Sequence, residues 1–285
     1  MNKMKINYFP IQNEWALITG ATSGLGFEYC QQLARRGVNL VMVGRDSQKM
    51  QKAISQISGV QILPVLQDLS QADSAAHIHM QVLQKGIQIR LLVNNAAIGK
   101  WGEFRDGNSE NDQEQFNILL SWISLVRLFL PELQKLKGGS IIQVSSVAAY
   151  QPIPYMSIYA GLKAFVQSWS LALYEELRQD HVYVQTLVPG GMETSFDSKA
   201  GAYPTEKPIK KDSVESVVQR SIAAFEDLSP VVNIPSNTFF QKLFANFFPV
   251  RFVLRQVGQM FRPKKRILNK TGNPFRCLSF GIHIF

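Results

Sequence analysis

A chain of 285 residues with 46% apolar and 18% charged residues has the length for one large core and the composition of a globular protein. Two cysteines, Cys30 and Cys277, are too few for a disulfide framework or a thiolate metal site, and no metal is expected. The opening MNKMKINYFPIQNE lacks an apolar run of signal-peptide length, and nowhere do eighteen apolar residues follow one another, so a cytoplasmic location is expected over secretion or a spanning helix.

Short apolar runs alternate with helical patterns along the chain. WALIT (15–19) reads as a buried strand, followed by a glycine-rich turn and a helix from Leu25 to Arg36. Val38–Gly44, Val60–Leu66 and Ile89–Val93 read as further strands, and Ala75, Ile78, Val82 and Leu83 mark a helix between the last two. Ser140–Ser145 and Val182–Val188 are strands of the same kind, separated by a long helix from about Ile158 to Gln179. A helix from Asp212 to Leu228 and the strand VVNI (231–234) close the series. Strand and helix in this cadence predict βαβ units and a single Rossmann-type, doubly wound parallel sheet of about seven strands.

The turn TGATSGLG (19–26) lies where the first strand hands over to a helix, with glycines at 20, 24 and 26. Backbone without Cβ atoms can approach a pyrophosphate closely, and the free N–H groups of the next helix turn then face the anion. Gly20, Thr22, Ser23, Gly24, Leu25 and Gly26 are the candidate phosphate cradle. The spacing resembles that of the short-chain dehydrogenase/reductases. Further landmarks carry the resemblance: Asn94 to Ala97 (NNAA) stands where the family has Asn-Asn-Ala-Gly, Tyr159 to Lys163 (YAGLK) matches Tyr-x-x-x-Lys, and Pro189-Gly190 follows the sixth strand with Thr194 beyond it. The family's serine lies thirteen residues ahead of the tyrosine, at Ser146, and its helix asparagine matches Asn117. Ala97 departs from the pattern by one methyl group.

The resemblance implies that Asn94, Ala96, Pro189, Gly190 and Thr194 border a nicotinamide dinucleotide and that Asp68 meets its adenine ring. A carboxylate at the end of the second strand would hold both ribose hydroxyls and repel a 2′-phosphate. Gly44 stands there instead, and Arg45 next to it can pair with that phosphate, so NADP(H) is expected over NAD(H), although Asp46 is within reach of a ribose.

Tyr159 and Lys163 are four apart and share one face of a helix. An ammonium beside a phenol favours the phenolate, and bringing a phenol from pKa ~10 to ~7 needs about 4 kcal/mol. By resemblance Tyr159 is the acid, Ser146 holds the substrate oxygen, Lys163 also binds the nicotinamide ribose, and Asn117 holds a water on the route from Lys163 to solvent. The expected activity is interconversion of a carbonyl and a secondary alcohol by hydride transfer. The competing reading is a dinucleotide-binding sensor or membrane-surface partner protein without turnover; such proteins usually lose the tyrosine or the lysine, and this chain keeps both.

The net charge of +9 is confined to the end of the chain. Residues 1–235 balance 21 Lys/Arg against 21 Asp/Glu, whereas 236–285 hold nine Lys/Arg, no acid and ten of the eighteen phenylalanines. One boundary follows, between a catalytic domain over 1–235 and a basic extension over 236–285. Apolar residues at 239, 240, 243, 244, 247 and 248 predict one short helix, and Val250, Val253, Leu254, Val257 and Phe261 a second, ending in RPKKR (262–266). Two uses fit an aromatic, cationic segment: it covers the substrate pocket or a subunit contact of a homo-oligomer, or it lies peripherally on the inner membrane surface through 236–266. Nucleic acid is not an expected partner. The expected substrate is a small-molecule carbonyl or alcohol, with a lipophilic ketone or 3-oxoacyl compound favoured by the tail.

Overall fold

Seven apolar runs form seven parallel strands in a computed structural model that describes residues 6–201, 211–235 and 247–263. The strands are β1 (Trp15–Thr19), β2 (Asn39–Gly44), β3 (Ile62–Leu66), β4 (Ile89–Asn94), β5 (Ser140–Val144), β6 (Tyr183–Pro189) and β7 (Val231–Ile234). They pair in the order β3-β2-β1-β4-β5-β6-β7, so the chain reverses its direction of travel between β1 and β4. Central strands are covered on both faces, and every residue of β5 and β6 is buried. β3 forms one edge, where four of its five residues keep part of their surface and Pro64 withholds no hydrogen bond from an inner ladder.

The helices are α1 (Gly24–Ala34), α2 (Ser47–Ile54), α3 (Ser74–Gln84), α4 (Ser109–Lys135), α5 (Ser157–Glu176), α6 (Phe196–Lys199), α7 (Val214–Ala223) and α8 (Val250–Phe261). α4 starts where the Asn108 side chain accepts a bond from the Glu110 N–H at 2.7 Å. Its length and composition would suffice to cross a membrane. Here its apolar positions at three- and four-residue spacing, Ile118, Trp122, Leu125, Val126 and Phe129, are buried in the core that it shares with α3 and β4.

Two helices fall furthest short of the spans that the sequence pattern predicts. The one expected to reach Gln179 ends at Glu176, because the chain turns through His181 at φ 56° into β6. The one expected over 212–228 contracts to Val214–Ala223: Asp212 is drawn into a bridge with Met192, and Leu228 at φ 54° turns the chain into β7. In the extension, α8 matches its predicted span. The first tail helix, expected over 239–248, lies outside the described residues except for its last two positions, as do 264–285.

A second, smaller apolar cluster sits beyond the carboxyl end of β5. Val253 and Val257 of α8 are buried there against Ala148, Ile153, Met156 and Ala160, with Trp101 and Phe261 packed beside them. The Trp101 indole donates to the Phe261 carbonyl at 2.7 Å. α8 thus seals the loop that leads from β5 into α5.

Candidate active site

The turn after β1 is built around absent side chains. Gly20 and Gly24 adopt φ 66° and 55°, a region that favours glycine. A Cβ on Gly26 would lie 2.3 Å from the Gly20 carbonyl oxygen and 2.5 Å from the Asn95 amide, so only glycine lets α1 begin so close to β1. Ser23 precedes α1 in an extended conformation and makes no side-chain cap bond, and Leu25 buries its side chain in the core. The first N–H groups of α1 therefore have no intrahelical acceptor and are oriented to receive an anion. This cradle fits a dinucleotide pyrophosphate.

Neighbouring segments close the turn. Thr19 Oγ1 accepts from the N–H groups of Asn95 (2.9 Å) and Ala96 (3.1 Å), while the Asn95 side chain donates to the Thr19 carbonyl at 2.9 Å. Thr194 stands across from Gly24, its Cγ2 3.3 Å from where a Cβ would be. Pro189 ends β6, and the Gly190 N–H bonds the Ile234 carbonyl. Sequence reasoning missed Thr19 and Asn95. Asn94 faces the other way, its amide directed at the Trp122 carbonyl at 3.5 Å inside the core.

At the end of β2, a Cβ on Gly44 would sit 2.8 Å from Thr22 Cγ2, which gives the glycine a packing role. Arg45 is engaged by two carboxylates, Glu114 at 2.8 Å and Asp68 at 3.1 Å. These bonds, that to Glu114 foremost, raise the guanidinium pKa further. Asp68 also accepts from the Ser70 N–H and hydroxyl. Asp46 is committed to starting α2, accepting from the Lys49 N–H at 3.0 Å and pairing with its ammonium at 2.8 Å.

The proton-carrying residues gather on the loop after β5 and the first turns of α5. Ser145 turns inward and donates to the Lys163 carbonyl at 2.9 Å, whereas Ser146 caps the following 3-10 turn, accepting from the Ala148 N–H, and meets the Tyr159 hydroxyl. Alternation along the strand end separates the two serines. Lys163 is 5% exposed; its Nζ donates to the Val144 carbonyl at 2.7 Å and lies 5.1 Å from the Trp122 ring centre and 5.7 Å from that of Tyr159. Ala96, Ala97, Ile98, Trp122, Tyr159 and Lys163 line one cavity.

Dryness dominates the electrostatics. Burial pulls the Lys163 ammonium down to about 7. Burial also pushes the Tyr159 phenol up to about 12; the Ser146 hydrogen bond opposes this, and the carboxylate of Asp197 adds to it. The chain's own residues therefore leave the phenol protonated at neutral pH, contrary to the lowering expected from Lys163 alone, because its ammonium is aimed at Val144 and is itself disfavoured. Asn117 lies outside this group, its amide donating to the Ser70 carbonyl at 3.0 Å. Tyr150 bonds Asn233, and Tyr155 accepts from Arg262 at 3.4 Å, so neither competes with Tyr159.

The short chain dehydrogenase family model matches residues 14–204, from the strand before the cradle to beyond Thr194. The chain belongs to the short-chain dehydrogenases. It is thus an NAD(P)-dependent oxidoreductase. The 17-beta-hydroxysteroid dehydrogenase type 3 of Rattus norvegicus is 29% identical over 270 residues, covering 90% of this chain and 86% of the relative. The very-long-chain 3-oxoacyl-CoA reductase of Bos taurus is 29% identical over 218 residues, covering 74% and 69%. Among solved structures, a short-chain dehydrogenase from Sphingobium yanoikuyae in complex with NADPH superposes with a TM-score of 0.73 at 27% identity, covering 83% of this short-chain dehydrogenase and 96% of the other.

Proposed function

We propose that this short-chain dehydrogenase is an NADP(H)-dependent reductase of a lipophilic ketone or 3-oxoacyl compound, with Tyr159 as the proton donor. One observation carries the reading: the Tyr159 hydroxyl meets Ser146, and Tyr159 lines a cavity together with the buried Lys163. When bound, the dinucleotide supplies the hydride and, once oxidised, a positive charge. Ser146 and Tyr159 grip the substrate oxygen from two sides, which polarises the carbonyl and sets the proton's path. Tyr159 starts protonated, as the donor must. Lys163 holds the nicotinamide ribose and returns a proton to the phenolate, a task suited to an amine titrating at about 7.

Gly20, Thr22, Ser23, Gly24, Leu25 and Gly26 form the pyrophosphate cradle, closed by Asn95, Ala96, Pro189, Gly190 and Thr194, whereas Asn94 is turned into the core. Asn117 fixes the helix next to Ser70, and Asp68 orients Arg45. NADP(H) over NAD(H) rests on Arg45 at the end of β2 and on Asp46, whose carboxylate is taken by α2. The two relatives support a lipophilic substrate: their names specify a hydroxysteroid and a very-long-chain 3-oxoacyl-CoA. The exposed Phe116 and Leu120 on α4 and Phe165 on α5 support a homo-oligomer. A panel of ketones from acetone-sized to steroid-sized, offered with NADPH, tests the activity. Turnover that survives Tyr159→Phe would refute the assignment of the acid.

A further inference from the structure

α8 has two faces with opposite demands. Val253 and Val257 point into the cluster over the β5–α5 loop and hold the helix on the protein. Around its first turns, Phe247 (78% exposed) and Val250 stay in solvent, and Phe248, Phe252 and Leu254 keep part of their surface there, with the Phe248 and Phe252 rings packed on each other at 5.6 Å. Arg251 and Arg255 are interleaved with them and are exposed. Among the described residues neither arginine forms an ion pair. No acidic residue occurs anywhere from 236 to 285. A group of five large apolar residues with only cations among them is costly to leave in water, and monomeric proteins rarely do so without a use.

We propose that this end of α8 docks on an anionic lipid bilayer. The phenylalanines enter the headgroup and acyl boundary while Arg251 and Arg255 remain at the phosphates, the division of labour of an interfacial helix. Charge decides against the main rival occupant. A second copy joined through the same face about a two-fold axis would bring like cations together with no carboxylate from the extension to offset them. A nucleic-acid backbone would engage the arginines but leave the aliphatic and aromatic side chains unused. Because α8 also covers Ala160, next to Tyr159, the bilayer would lie beside the substrate entrance; that consequence rests on the carbonyl-reductase reading, whereas the docking does not.

Flotation of the full chain with vesicles tests it without any turnover. Wild type should rise with phosphatidylcholine vesicles containing phosphatidylglycerol and stay below with phosphatidylcholine alone. The variant Arg251→Glu/Arg255→Glu should lose at least about tenfold in binding, since each basic residue near such a surface contributes about fivefold. Phe247→Ser/Val250→Ser should lose a comparable amount, with melting curves matching wild type because all four side chains are exposed. Turnover of a water-soluble ketone should stay within about twofold in both variants; absence of turnover in every protein would fault the catalytic reading and leave flotation to decide docking. Wild type that stays at the bottom, binding that ignores all four substitutions, or a change of oligomeric state in the variants without lipid overturns the proposal.

Discussion

Asn95 donates twice to Thr19: its N–H reaches Thr19 Oγ1 at 2.9 Å, and its side-chain amide reaches the Thr19 carbonyl at 2.9 Å. The turn after β1 and the loop after β4 therefore move as one body, at the point where the sheet reverses its order. Asn95→Ala should cost about 1–3 kcal/mol in denaturant unfolding, the range for leaving a sheltered carbonyl without its partner. Dinucleotide affinity should fall with it, since the same amide packs against Gly26. Unchanged affinity would separate the loop from the cradle.

Arg45 is already bonded to Glu114 and Asp68, so a 2′-phosphate must compete for it. Glu114→Gln removes one competing charge and should tighten NADPH several-fold while leaving NADH nearly unchanged. Arg45→Ala should weaken NADPH about 10–30-fold, the worth of one charge-assisted hydrogen bond of about 1.5–2 kcal/mol, again sparing NADH. Fluorescence titrations with both nucleotides measure each effect. An equal loss for the two nucleotides in Arg45→Ala would remove the basis for NADP(H) preference.

Lys163 should cost the fold stability at neutral pH. Its pKa falls from 10.5 to about 7 on folding, so the unfolded chain binds more protons between those values and stability rises as pH rises through that window. Below about 7 the penalty is complete. A difference of about 3.5 units corresponds to about 5 kcal/mol, less the worth of the bond to Val144 and of water reaching the cavity mouth. Lys163→Met, close in volume, should therefore raise stability by about 1–3 kcal/mol at pH 6–7, with the gain shrinking towards pH 10, while weakening dinucleotide binding. A gain in melting temperature that stays flat from pH 6 to 10 would contradict this.

The strands and the cradle were legible because their signals are local. Fully buried strands read as continuous apolar runs, and only glycine satisfies the backbone at Gly20, Gly24 and Gly26. Helix ends were less so: His181 and Leu228 turn the chain at positive φ without being glycine, which no propensity announces. Within the site, Tyr159, Lys163 and Ser146 came from spacing, and the structure brings them together. Side-chain direction did not follow from spacing. Asn94 and Asn95 are neighbours, yet one faces Trp122 and the other the cradle; Asn117 turns to Ser70. Glu114 lies 69 positions from Arg45, a pairing that only the packing of α4 creates.

Phe196 lays its ring against Tyr159, centroids 5.3 Å apart, at the start of α6. Gly99 makes this possible, since a Cβ there would come within 2.8 Å of Phe196 Cζ. Gly99→Ala alone should cost about 1–3 kcal/mol through overpacking, but nearly nothing in a Phe196→Ala background, so the double-mutant cycle should yield a coupling of similar size. Phe196→Ala should also raise kcat/KM for bulky ketones over small ones by about tenfold, the scale of a removed apolar wall. The two readouts are independent: coupling in stability establishes the contact, and the shift in substrate ratio places that contact on the substrate's path. Coupling without a shift would leave Phe196 a packing residue of α6, with access to Tyr159 governed from the α8 side.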